Sequence, residues 1–163
     1  MTPEDLVDIE AIKQLKYRYA RLLDTKRWDE LGALFVPDAT ASYSGGQLSL
    51  QGREAIVMFL RDALGSTQVL TRHTMSQPEI ELLSAERARG VWALSDVVVF
   101  TEGAFEVRGA SFYSDEYVKA DGSWLFGHTG YKRVYEEMAP RAPEVRLTAS
   151  WFETDGKSQL VEG

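Results

Sequence analysis

The chain has 163 residues and no cysteine, so it is long enough to bury a core, and disulfides, thiolate nucleophiles and cysteine metal sites are excluded. Hydrophobic residues make up 44% and charged residues 26%, and no apolar run approaches the roughly 20 residues of a membrane span. A formal charge of -7 argues against a nucleic-acid or anionic-membrane partner, and Met1 to Asp5 show no secretory pattern, so a cytoplasmic location is expected.

Thr2-Pro3-Glu4-Asp5 predicts a helix start, with a capping hydroxyl, proline at the first helical position and acids at the positive dipole end. Ile12, Leu15, Tyr19, Leu22 and Leu23 then follow the spacing of an amphipathic helix. A second short helix carries Trp28, Leu31, Leu34 and Phe35 and stops before Pro37. Residues 39–43 and 47–50 flank Ser44-Gly45-Gly46 as a hairpin. Gly52 opens a third helix with Ile56, Phe59, Leu60 and Leu64 on one face, and Gly65 stands where a left-handed cap belongs.

From there the period changes to two. Strands are predicted over 68–73, 79–83, 90–101, 108–119, 123–133 and 144–152, with Asp121-Gly122 as a turn. Helices followed by a run of strands imply one α+β domain over 1–163, with a curved antiparallel sheet wrapping the helices.

The chain contains two histidines, His73 and His128, the natural bases near neutral pH. Each also reads as a hydrogen-bonded histidine without chemistry. Asp96 lies in the apolar stretch Trp92 to Phe100 and alternates onto the face of Trp92, Leu94 and Val98. If that face is internal, Asp96 needs a partner or a proton. Asp24 ends the first helix, where its charge opposes the dipole, or it caps the second. Tyr19 is core filler or a hydrogen-bond donor to a substrate oxyanion. Five residues apart, Tyr19 and Asp24 would converge only if the helix ended or bent between them. No metal-ligand cluster, nucleophile elbow or phosphate loop occurs, so cofactor-free acid-base chemistry remains.

The runs Tyr17 to Asp24, Trp28-Asp29-Glu30-Leu31, Pro37-Asp38-Ala39-Thr40, Gly52 to Ile56 and Asp121 to Trp124 resemble SnoaL-like proteins of the nuclear-transport-factor-2-like superfamily. The resemblance covers nearly the whole chain and implies a cone-shaped α+β barrel with a mixed sheet. Asp8 to Lys16, Phe112 to Tyr117 and Gly130 to Glu137 are similar to the bacterial bile-acid 7α-dehydratases within that family. By that resemblance the catalytic residues fall on Tyr19, Asp24, Asp96 and His73, and a functional arginine falls on Arg133. The loops at 74–77, at 102–108 and after Met138 differ from the pattern.

The activity so implied is dehydration of a hydroxysteroid-like enone or similar hydrophobic ring. No metal or cofactor takes part: His73 is the base, oriented by Asp24, and Tyr19 and a protonated Asp96 act as donors. Tyr43, Trp92, Phe112 and Phe126 would line the pocket. Arg133 would meet a polar end of the substrate, or pair on the surface with Glu136 or Glu137. The alternatives are an isomerase, a dehalogenating lyase, or a non-catalytic ligand-binding or subunit-interaction domain. A homotrimer is the implied assembly, with a dimer second. The uncovered sheet face would carry Val97, Val99, Tyr113 and Tyr117, and the run Val145 to Phe152 would brace it.

Overall fold

A computed structural model describes residues 1–154. Helix α1 runs over Pro3–Asp24. Thr2 and Asp5 close its first turn as a reciprocal capping box, Thr2 Oγ1 accepting from the Asp5 amide at 3.2 Å and Asp5 Oδ2 from the Thr2 amide at 2.6 Å. Helices α2 (Trp28–Gly32) and α3 (Arg53–Leu64) pack beside it. Strands β1 (Phe35–Tyr43), β2 (Leu48–Gln51), β3 (Val69–Ser84), β4 (Arg87–Phe100), β5 (Phe105–Ala120) and β6 (Ser123–Pro140) form one curved sheet. Its order is β2-β1-β6-β5-β4-β3; β1 and β6 run parallel and every other pair is antiparallel. This is the expected α+β architecture. The core lies between α1 and the concave face, with Ile12, Leu15, Leu31, Phe35 and Ile56 among its fully buried side chains. No helix among the described residues is long and apolar enough to cross a membrane.

Several local expectations are corrected. The second helix stops at Gly32, and Phe35 begins a strand that contains Pro37. Proline is tolerated there because the β1–β6 ladder breaks between Phe35 and Thr40, so no ladder hydrogen bond is asked of it. Gly65 is right-handed at φ -73°, and the left-handed glycines are Gly45, Gly46, Gly52 and Gly122. The segments around His73 and Glu79 are one strand, β3, interrupted by a bulge between Ser76 and Glu79 where Gln77 has φ 51°. Residues 144–150 are not a strand, and only Trp151–Thr154 is helical (α4). The chain leaves interior strand β6 at Pro140 and passes Pro143, and its alternation finds no neighbour to pair with.

Strand β5 corrects the largest misreading. Ser111, Tyr113, Asp115 and Tyr117 point into the core, and Phe112 between them is 51% exposed. Alternation fixes the pairing of faces but not their direction. Here a buried lysine decides it. Lys16 Nζ donates to Asp115 Oδ2 at 2.7 Å with both side chains at 0% exposure. Tyr117 (2.9 Å) and Thr129 (2.8 Å) also donate to Asp115, and Trp92 Nε1 donates to the Tyr117 hydroxyl at 2.8 Å. The ammonium rests 3.5 Å from the centre of the Tyr113 ring. Burial pulls the Lys16 pKa down, and Asp115 opposes that shift. Tyr113 and Tyr117 are therefore core residues, while Val97 and Val99 do line a groove on the outer face.

Candidate active site

Asp24 is the last residue of α1, and its carboxylate accepts three hydrogen bonds from the start of β3. Oδ1 takes Thr71 Oγ1 at 2.7 Å and lies 2.6 Å from His73 Nδ1; Oδ2 takes the His73 amide at 2.9 Å. Thr71 and His73 share a face of β3 because they are two residues apart. The carboxylate fixes the imidazole with Nδ1–H toward Asp24, which leaves Nε2 as the basic nitrogen. Helix α1 runs unbroken through Asp24. The condition set for the convergence of Tyr19 and Asp24, an end or bend between them, is not met: Tyr19 and His73 line one cavity, and Asp24 reaches it through its hydrogen bond to His73.

His73 lines a cavity of about 150 Å³. Leu23, Phe59, Leu64, Leu94 and Val98 form its apolar wall, and Tyr19, Tyr43, Tyr113 and Tyr131 bring four phenols to it. The rings pack as a cluster, with centroids 5.5 Å apart for both Tyr43–Tyr131 and Tyr113–Tyr131. Burial, and then the neighbouring phenols, push Tyr19, Tyr43 and Tyr113 well above the ordinary tyrosine value. They are protonated donors at any physiological pH. The Tyr19 hydroxyl stands close to those of Tyr43 and Tyr113, yet neither the Tyr19 nor the Tyr43 hydroxyl makes a well-aligned hydrogen bond among the described residues. A buried phenol without a partner is costly, so both hydroxyls are poised for an acceptor on a ligand.

Asp96 and Arg133 reach the same cavity. Asp96 is 4% exposed, and its two oxygens accept from Arg133 Nη1 (2.5 Å) and Nη2 (3.0 Å). Arg133 Nη1 also reaches Ser111 Oγ at 3.2 Å, and Glu136 lies 2.9 Å from Nε as an ion pair. Asp96 is therefore an acceptor clasped by a guanidinium, the partnered one of the two alternatives that its apolar surroundings left open. Arg133 pairs with Glu136, as its surface reading expected, and it also lines the cavity.

Three expected pocket residues lie elsewhere. Trp92 and Phe126 are fully buried in the core, Trp92 bound to Tyr117 and Phe126 packed on Phe35 at 5.1 Å. Phe112 is on the outer face, for the reason of phase given above. Tyr43 does line the cavity. Thr71, Tyr113 and Tyr131 were missed, although two-residue spacing from His73 would have found Thr71. His128 contacts Thr40 Oγ1 at 2.6 Å, the hydrogen-bonded role without chemistry.

Gly109 makes room for the arginine. A Cβ there would collide with Arg133 Nη1 and stand 3.0 Å from the Tyr135 carbonyl oxygen. Gly109→Ala is expected to push the guanidinium off Asp96 and cost about 1–3 kcal/mol in urea unfolding. Unchanged stability would mean that the pairing holds nothing in place.

Residues 4–129 match a family described as a SnoaL-like domain. Among solved structures, a Novosphingobium aromaticivorans protein provisionally called a scytalone dehydratase superposes with a TM-score of 0.78 at 26% identity, covering 92% of this chain and 95% of that one. A LinA-type3 hexachlorocyclohexane dehydrochlorinase from Novosphingobium barchaimii gives 0.75 at 19% identity, covering 89% and 97%. A Type2 LinA enzyme gives 0.74 at 21% identity, covering 89% and 95%. At those two identities the likeness is one of fold.

Proposed function

We propose, from the premise that this chain belongs to the SnoaL-like domain family, that it is a cofactor-independent lyase removing water from a hydroxy-ketone or hydroxy-enone on a hydrophobic ring. The observation that carries this reading is the His73–Asp24 dyad on the wall of a cavity whose Tyr19 and Tyr43 hydroxyls have no well-aligned hydrogen-bond partner among the described residues.

His73 Nε2 takes the proton from a carbon acidified by the carbonyl or enone, and the C–H electron pair moves into the carbonyl to give an enolate or dienolate. Tyr19 and Tyr43 donate to the oxygen on which that charge develops. When the electrons return, the C–O bond breaks, and the imidazolium gives its proton to the departing hydroxide, so water leaves and the base is regenerated. Arg133, fixed by Asp96, presents a cation at the cavity wall. In its finer form the proposal takes a hydroxysteroid enone as substrate, as in the bile-acid 7α-dehydratases that the sequence resembles.

The test is a panel of hydroxy-enones followed by the absorbance of the conjugated product, run beside chlorinated cyclohexanes followed by halide release. Product from the hydroxy-enones supports the hydro-lyase. Halide release alone would replace it with the dehalogenating reading. Ligands that bind and are never turned over would make this a binding domain.

The proposal includes self-assembly. Val91 and Phe112 stand exposed on the outer face of the sheet at 37% and 51%, and this is the face that the trimer would cover. Light scattering at micromolar concentration is expected to give about three times the 18.3 kDa chain mass. Twice that mass rejects the trimer, and a single chain rejects assembly.

A further inference from the structure

Arg133 reaches the cavity beside a break in strand phase. The β5–β6 register steps from Ala110 opposite Tyr135 to Ser111 opposite Arg133, so Val134 has no residue opposite it. A bulge of this kind shifts the side-chain phase by one. It brings Arg133 and Glu136, three positions apart, to the same side of β6. Cross-strand pairing then sets Asp96, Gly109 and Glu136 in one row over β4, β5 and β6. Glycine leaves the middle of that row open, and the Arg133 guanidinium occupies it with a carboxylate on either side.

The guanidinium so placed is not free to grip an anion. Asp96 takes one hydrogen from Nη1 and one from Nη2, and Ser111 takes the other from Nη1. Glu136 Oε2 stands 2.9 Å from Nε, which is itself buried. One Nη2 hydrogen is left unclaimed among the described residues, whereas a guanidinium holds a carboxylate best with two parallel N–H groups. The charges run the same way. Lys16 and Asp115 cancel behind the Tyr113 ring, and Lys26 lies near enough to Asp24 to offset it. Around the guanidinium two carboxylates face one cation, so with His73 in its basic form the wall carries a negative excess. Asp96 and Arg133 balance each other, and Glu136 supplies the excess.

We propose that Glu136 is a positioning residue that sets the charge selectivity of the cavity. It completes the clasp on Arg133, and the site then admits an uncharged ring substrate and turns away the same ring bearing a carboxylate. The inference rests on the reading of the cavity as the substrate site. Glu136 is not part of the cavity wall, and it acts on the ligand through the arginine. Its side chain is 52% exposed, so water screens its charge and the effect is about tenfold, well below that of a dry pair.

Calorimetry at low salt measures dissociation constants for two probes of one shape, a cyclohexenone carboxamide and the corresponding carboxylate. The intact protein is compared with Glu136→Gln, which keeps an acceptor near Nε without the charge, and with Glu136→Asp, which keeps the charge. The intact protein is expected to bind the carboxamide at least about tenfold more tightly than the carboxylate. Glu136→Gln should tighten the carboxylate about tenfold and leave the carboxamide within about twofold, and Glu136→Asp should retain most of the preference. Equal affinities in the intact protein, or a change in Glu136→Gln that is the same for both probes, overturn the inference and leave the lyase reading standing. Selective binding of the carboxamide with no turnover of any hydroxy-enone would sink the lyase reading and leave Glu136 its role. Binding of neither probe removes the cavity as a substrate site, and this inference with it.

Discussion

Replacing His73 with alanine is expected to lower kcat by about a hundredfold to ten-thousandfold, the range for removing a positioned general base. The cavity keeps its apolar wall and its phenols in this variant, so the affinity for a substrate analogue should change little. Asp24→Asn should fall in the same range by a different route. The carboxylate now accepts from Thr71, from the His73 amide and from the ring. An amide offers one acceptor oxygen and an N–H₂, so one of those donors would face another donor, and the imidazole would turn or change tautomer. Steady-state kinetics of both single variants and the double variant decide the matter. If the two residues act as one unit, the double variant is about as slow as the worse single. Losses that multiply would mean separate roles, and a His73→Ala enzyme within a few fold of the intact one would remove the dyad from the chemistry.

The second large effect is on stability. Lys16→Met leaves the Asp115 carboxylate in the core with only hydroxyl donors, and Asp115→Asn leaves the ammonium with an amide. Either single change is expected to cost about 3–5 kcal/mol, because a buried ion loses its counter-charge. For a chain of this size that is a fall in Tm of roughly 10 °C or more. The double variant Lys16→Met/Asp115→Asn should cost clearly less than the two singles together, since no lone charge remains. Urea unfolding of the four proteins gives the coupling. Single variants within about 1 kcal/mol of the parent would show that the pair is not as dry as its geometry indicates.

How much of this could be read from the chain depends on what each signal encodes. The first helix was legible to its cap because Thr2-Pro3-Glu4-Asp5 is local chemistry. The alternation of β4 placed Asp96 on a buried face correctly, since Trp92 and Leu94 leave that face no other choice. Strand β5 was read inside out, because Phe112 and Tyr113 are both aromatic and the pattern has two equivalent phases. The deciding residue was Lys16, which stands on the apolar stripe with Ile12, Leu15 and Tyr19, and whose partner Asp115 is ninety-nine positions away. The lysine's presence on that stripe was a visible warning that an acid lay opposite. The partner of Asp96 was beyond reach in the same way. A guanidinium crossing from β6 over Gly109 belongs to tertiary geometry, and no spacing in the sequence reports it.

The three hydrogen bonds accepted by Asp24 bear on how relatives of this chain should be read. One of them goes to the His73 backbone and another to Thr71, so the carboxylate fastens the end of α1 to β3 whatever side chain stands at position 73. A descendant that abandoned chemistry could let the histidine drift at no cost to its architecture, while the aspartate stayed under selection for folding. An aspartate kept at this position in a lineage is therefore poor testimony to a living enzyme. The imidazole, with no comparable scaffolding duty, is the better witness.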